Sequence, residues 1–217
     1  MKYTATVLGV LAAAGILLSP AVSKTDGLKP IELPPPVREG GKPLMTALRE
    51  RSSSREFSRK QLPVQTLSNL LWAAFGVNRP ESGKRTAPSA RNMQEIEIYV
   101  ALPEGLFLYD APAHILQPVL KEDIREFTGE QAFTRQAPVN LIYVADRGRM
   151  GSADEAAKDF YSAVDTGYIS QNVYLFCASE GLATVVLGWV DKPALEKKIG
   201  LGKDRKVILT QPVGYPK

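Results

Sequence analysis

Cysteine and histidine are almost missing from this chain: Cys177 and His114 are the sole examples in 217 residues. One cysteine excludes an intrachain disulfide and any cysteine-based metal site. It falls in an apolar helical pattern and reads as a small buried residue. Ser-His-Asp catalysis would have to use His114, yet that residue closes Asp110-Ala111-Pro112-Ala113-His114, a loop after a strand, and no serine stands in a nucleophile-elbow context. Zinc held by one histidine and one cysteine is equally poor, so no metal site is expected. Runs of like charge are also missing. The formal charge is +4, with the Lys and Arg residues scattered among 23 acids. A nucleic-acid groove is therefore not indicated, and a small anionic ligand fits better. The longest apolar run, 7–18, is too short for a comfortable membrane span, and no internal repeat is visible.

What is present is an ordinary globular composition, 44% apolar against 23% charged, in a length that suits one well-cored domain. Lys2, the apolar run and Ala21-Val22-Ser23 make residues 1–23 an expected cleavable signal peptide, giving a periplasmic or secreted product with no membrane span in the mature chain. Residues 24–42, with Pro34-Pro35-Pro36 and Gly40-Gly41, read as an extended arm. The remaining domain spans 43–217. A short helix follows Pro43, and Pro63 opens a second over 64–75 that Gly76 stops. Residues 78–84 read as a loop. Ile96, Ile98 and Val100 alternate with polar or exposed positions, then a turn at Pro103-Glu104-Gly105 returns the chain as a hairpin. A short amphipathic helix is expected around 120–127, and a buried central strand over 139–144. The longest helical pattern is 154–181, where Phe160, Val164, Gly167, Gln171, Leu175 and Ala178 form a row suited to close packing on a partner helix. A strand or extended segment at 184–187 leads to Gly188-Trp189, a helix over 193–199 ends at Gly200, and 207–209 is the last strand. The pattern implies an α+β class, a three-layer arrangement of helices over a mixed sheet.

Three stretches carry candidate chemistry. In Arg51-Ser52-Ser53-Ser54-Arg55-Glu56-Phe57, read as extended, Arg51, Ser53 and Arg55 share a face with Ser52 beside them, and two guanidiniums suit the phosphate of a nucleotide or flavin. A solvated polar turn after a helix would use the same residues. Arg85 to Gln94 holds Pro88, Ser89, Asn92 and several amides that can face a planar heterocycle, or simply connect two elements. Leu187-Gly188-Trp189 places a glycine where a backbone can approach a ligand.

In this order the stretches resemble the FMN-dependent nitroreductase family, and most of all its SagB-type dehydrogenase-like branch, from about Pro43 to Lys217. The matching signatures are Arg51, Ser53, Arg55 and Phe57; then Pro88, Ser89, Asn92 and Gln94; then Leu187-Gly188-Trp189. The resemblance implies a nitroreductase-like fold binding FMN. Arg51 and Arg55 would take its phosphate, Ser53 its ribityl side, Ser89 the pyrimidine edge, Asn92 the ring and ribityl chain, and the Leu187-Gly188 backbone the ring near N5. Many family members add a basic residue beyond the last strand; this sequence stops at Lys217, so the phosphate would rest mainly on Arg51 and Arg55. The resemblance also implies a homodimer with flavin between subunits, and electron transfer to a small organic acceptor. No catalytic side chain is assigned. A flavin-carrying module without turnover, and a cofactor-less interaction domain on the same fold, are the alternatives.

Overall fold

The computed structural model describes residues 24–217, so the expected signal peptide, 1–23, lies outside the described residues. The frame is a sheet with the spatial order β1-β6-β5-β4-β7-β9-β8. Its strands are β1 (Ile31–Glu32), β4 (Ile96–Leu102), β5 (Gly105–Asp110), β6 (Ile115–Leu120), β7 (Val139–Asp146), β8 (Ala183–Thr184) and β9 (Arg205–Gly214). The helices are α1 (Leu44–Glu50), α2 (Val64–Phe75), α3 (Glu155–Glu180) and α4 (Lys192–Ile199). A separate ribbon, β2 (Val77–Arg79) with β3 (Lys84–Arg85), occupies what reads in sequence as a loop.

Alternation along the central strands explains the layers. Ile96, Ile98 and Val100 of β4 and Leu141 and Tyr143 of β7 face one way, against Leu70 and Leu71 of α2 and Ile169 and Val173 of α3. Tyr99, Ala101, Ile142 and Val144 face the other way, against Leu195 and Ile199 of α4 and Ile124. Helices thus cover both faces, the expected three-layer α+β arrangement. Within it the sheet is antiparallel at every pairing rather than mixed. Short hairpins join β4, β5 and β6, and a two-residue turn can only join antiparallel strands.

Covering both faces also overturns the expected alternation of β4, whose seven residues are all buried. Glu97 is tolerated there because Arg149 and Arg205 each reach it at 2.9 Å. The helix expected around 120–127 is absent. Residues 115–120 form β6 instead, and 3-10 turns follow at Arg125–Thr128 and Ala132–Arg135. Pro118 fits a strand here because β1 pairs with β6 only at 115 and 116, leaving Pro118 open on that side. Buried Asn140 sets the two turns, its Nδ2 donating to Thr128 Oγ1 at 2.9 Å and to the Thr134 carbonyl at 2.7 Å.

The long helix starts and stops as its ends dictate. Asp154 caps the start by accepting the Ala157 N–H at 2.7 Å, and Gly181 ends it at φ 68, a left-handed conformation that glycine adopts without a Cβ clash. Its buried face is different from the expected row. Asp165, Thr166, Ile169, Ser170, Val173, Tyr174 and Cys177 are buried, whereas Phe160 is 62% exposed and Gly167 and Gln171 are open. The polar-and-small row is therefore free in one chain.

The arm does lie across the surface. Ile31 and Glu32 add an edge strand to β6, and Pro34 and Pro35 give their carbonyls to Ser68 and Gln65 of α2. Ser68 donates its one proton to the Pro34 carbonyl, so His114 Nε2, 2.8 Å from Ser68 Oγ, must donate to it. Nδ1 then accepts from the Tyr109 hydroxyl at 2.9 Å. Burial lowers the His114 pKa, in keeping with this neutral tautomer. With Ser68 fully buried and a tyrosine where a triad needs a carboxylate, this group is an anchor for the arm and not a hydrolase centre.

Candidate functional site

The segment after α1 is extended, as its alternation predicts, because its backbone is tied to β8 and to the C-terminal strand: Ser54 N–H donates to the Thr184 carbonyl and Ser58 N–H to that of Tyr215, both at 2.9 Å. Arg51 and Ser53 share a face, and Tyr174 is what they face. The Arg51 guanidinium stands 5.3 Å over the Tyr174 ring, and Ser53 Oγ lies 2.9 Å from its hydroxyl. The same hydroxyl accepts the Val186 N–H at 2.9 Å. Tyr174 thus joins the Arg51 segment to the turn that carries Leu187 and Gly188. Arg55 and Ser52 stand in solvent, and Arg55 has no hydrogen bond or ion pair among the described residues.

Leu187 is buried and locked to Thr210 by a bridge of two backbone hydrogen bonds, 2.8 and 3.1 Å. The next residue is exposed. A Cβ on Gly188 would meet only Leu209 Cδ2 at 3.7 Å, ordinary contact, so nothing inside the fold requires glycine there. Its N–H has no acceptor among the described residues. Trp189 beside it is 69% exposed and not part of the core.

The loop containing Pro88, Ser89, Asn92 and Gln94 is held in a costly shape. Arg91, Asn92 and Gln94 have φ of 52, 57 and 50, each costing on the order of 1–2 kcal/mol for a residue with a Cβ. Hydrogen bonds impose it: Ser89 Oγ accepts the Gln94 N–H at 3.0 Å, Asn92 Oδ1 accepts from Gln94 Nε2 at 3.1 Å, and the Ala90 N–H donates to Asp165 Oδ2 at 2.8 Å. The Ser89 hydroxyl proton and the Asn92 Nδ2 have no acceptor among the described residues. Gln94 is engaged at both ends of its amide, its Oε1 taking Arg85 Nε at 2.8 Å and its Nε2 also reaching the Gly83 carbonyl. It braces the loop.

The structure therefore brings the first and third stretches together and sets the second apart. Its anchor, Asp165, lies nine positions before Tyr174 on α3, about 13.5 Å along the axis. Among the described residues, no hydrogen bond joins the loop to the Arg51 segment or to Gly188. Asp165 and Tyr174 escape a reading of motifs because neither belongs to one. Polar side chains recurring on the buried face of α3 would have pointed to them.

A guanidinium and a glycine N–H without partners among the described residues, a second guanidinium stacked on an aromatic ring, and exposed hydroxyls form a donor set that fits a phosphate-bearing planar cofactor such as FMN. Among the described residues, no cluster of three or more metal-ligating side chains occurs.

Comparison with known proteins identifies the family. Residues 48–215 match the nitroreductase family. A candidate nitroreductase of Methanocaldococcus jannaschii is 33% identical over 155 residues, covering 67% of this chain and 78% of that protein. The crystal structure of a candidate nitroreductase from Ralstonia eutropha JMP134 superposes with a TM-score of 0.84 at 42% identity, covering 97% of this chain and 99% of that one. An NADPH:FMN oxidoreductase from Vibrio harveyi, solved in complex with NAD+, shares the fold at a TM-score of 0.62 and 19% identity, over 80% of this chain and 69% of that one. With its sheet, its helices and nearly all of its domain matched, this chain belongs to the nitroreductase family of oxidoreductases.

Proposed function

We propose that the protein is an exported, FMN-dependent oxidoreductase of the SagB-type branch that passes electrons to a small organic acceptor. The observation that carries this reading is the meeting at Tyr174 of the Arg51-Ser53 segment and the Val186-Gly188 turn, beside an Arg55 and a Gly188 N–H that have no partner among the described residues. Arg51 and Arg55 would hold the phosphate, Ser52 and Ser53 the ribityl side, and the Leu187-Gly188 backbone the edge of the ring. Bound flavin would supply the redox chemistry, and the protein orients it and shapes the slot above it. Exposed Trp189 provides a flat surface for an acceptor to stack on. That the Vibrio harveyi neighbour is an NADPH:FMN oxidoreductase supports the choice of cofactor. The deciding measurement is the visible spectrum of the purified protein, with added FMN. A bound-flavin spectrum is expected, and its absence at saturating FMN would leave the interaction-domain reading in its place.

The separated Ser89 loop motivates a homodimer in which both chains contribute to each flavin site. The open row of Phe160, Gly167 and Gln171 on α3, together with exposed Leu44 and Met45 on α1, which packs on α3, is the surface through which two copies would meet. Light scattering of flavin-loaded protein at micromolar concentration should report a dimer. A flavin-bound monomer would rule out the shared site.

Export sets the electron supply. Outside the cytosol a flavin enzyme has little access to NADH or NADPH, so slow, weak reduction by both is expected although dithionite reduces the flavin. Stopped-flow bleaching by NADPH that saturates at rates of roughly 1–1,000 per second, typical of enzymes, would overturn both this expectation and the exported location.

A further inference from the structure

The ladder between β4 and β5 stops at Tyr99↔Leu108, although both strands run on. β4 continues to Ile96 against β7, and β5 continues to Asp110 against β6. The sheet is split at this end. Into the split opens a cleft of about 320 Å³, walled by Ile96 and Ile98 on one strand, Leu108 on the other, and Phe75 from α2. That is within the roughly 300–1,000 Å³ typical of small-molecule sites.

Its charges are unevenly used. Glu97 and Arg149 line the cleft but belong to a closed set with Arg205 and Asp146, in which each carboxylate meets both guanidiniums at 2.9 to 3.3 Å. Those four charges cancel. Arg85 is half-buried and has no carboxylate in ion-pair range among the described residues. Its Nε goes to Gln94 and one terminal nitrogen to the Phe75 carbonyl at 3.1 Å, with the guanidinium 5.1 Å over the Phe75 ring, so the second terminal nitrogen has no partner among the described residues. Burial is the largest cause lowering its pKa, with the Arg149 charge adding to it, while Asp110, beyond ion-pair range, acts the other way. Such a group is stabilised when a bound molecule brings the anion. Asp110, also on the cleft wall, accepts only the Ala113 N–H and forms no ion pair among the described residues.

We infer that this cleft binds a small organic carboxylate with an apolar body, the carboxylate on the free edge of Arg85 and the body among Phe75, Ile96 and Ile98. A ligand that also carries an ammonium would place it at Asp110, so apolar α-amino acids fall in the same class. The cleft shares no lining residue with the Tyr174 junction and meets the Arg85 to Gln94 stretch at its two ends, Arg85 and Gln94.

The test is an NMR titration of the full chain with 3-phenylpropionate and, separately, with phenylalanine, each with saturating FMN and without it. Saturable shifts are expected at the Ile98, Tyr109 and Asp110 amides, with a Kd at or below about 1 mM. They should occur whether or not FMN binds, which separates this inference from the flavin reading. Arg85→Met should weaken binding by about tenfold or more, the loss expected for a charge-assisted pair. Ala111→Trp fills the cleft from the turn after β5, on the face that carries Ile96, Ile98 and Phe75, leaves Arg85 in place, and should abolish binding. Binding of phenylalanine alone assigns the ammonium to Asp110, and binding of 3-phenylpropionate supports recognition through Arg85; either sustains the site. No saturable shift at the cleft with either compound, or shifts unchanged in both variants, would overturn it.

Discussion

If the proposed flavin site is right, Arg51→Ala and Arg55→Ala should each weaken FMN binding by roughly tenfold to a hundredfold, because each would remove charge-assisted hydrogen bonds worth about 1.5–3 kcal/mol. The two differ in what else they disturb. Arg55 stands in solvent with no partner among the described residues, so its loss should leave the unfolding midpoint unchanged. Arg51 lies against Tyr174, and its removal also strips packing from the residue that joins two parts of the site. Arg51→Lys keeps the charge but loses the planar fork and should recover only part of the affinity. Flavin fluorescence titration reads all three variants, and rising salt should weaken the parent more than either alanine variant. Parent-like affinity in both alanine variants would show that the phosphate lies elsewhere.

Glu95→Gln should stabilise the protein at pH 8 by about 3 kcal/mol and remove a stability loss that the parent shows between about pH 4.5 and 7. Glu95 is fully buried, and neither carboxyl oxygen has a hydrogen-bond partner among the described residues. Burial, with the neighbouring Asp165 carboxylate adding to it, pushes the Glu95 carboxyl up to about 7. The sign follows from proton counts. Between the ordinary carboxyl range and pH 7 the folded chain holds a proton that the unfolded chain has released, so stability falls as pH rises through this window and levels off above it. His114 acts in the opposite direction, since its lowered pKa favours the fold as pH rises. Comparing parent with variant cancels that contribution. The amide that this substitution introduces can also donate to Asp165, which keeps the acceptor for the Ala90 N–H in place. Urea unfolding at pH 5 and pH 8 measures the difference, and a variant less stable than the parent at pH 8 would refute the buried-acid account.

Local chemistry along the chain was enough to mark α2 between Pro63 and Gly76, α4 before Gly200, β7 as a continuous apolar run, and the extended Arg51 segment. Proline, glycine and side-chain periodicity act over a few residues, and at these places nothing distant opposes them. The order of the three candidate stretches was legible for the same reason. Residues 115–135 were not, because a proline-bearing edge strand and two short turns held by Asn140 depend on a neighbour in the sheet and on a side chain several residues away. Nor was the face of α3. Its polar residues become acceptable inside only once Ser53, Val186 and Ala90 arrive as partners, and periodicity ranks positions by hydrophobicity without knowing who will arrive. The same holds for the cleft between β4 and β5: each strand is readable alone, but the point where their ladder ends, and the cation left facing it, exist only when α2 and β3 pack against the split sheet.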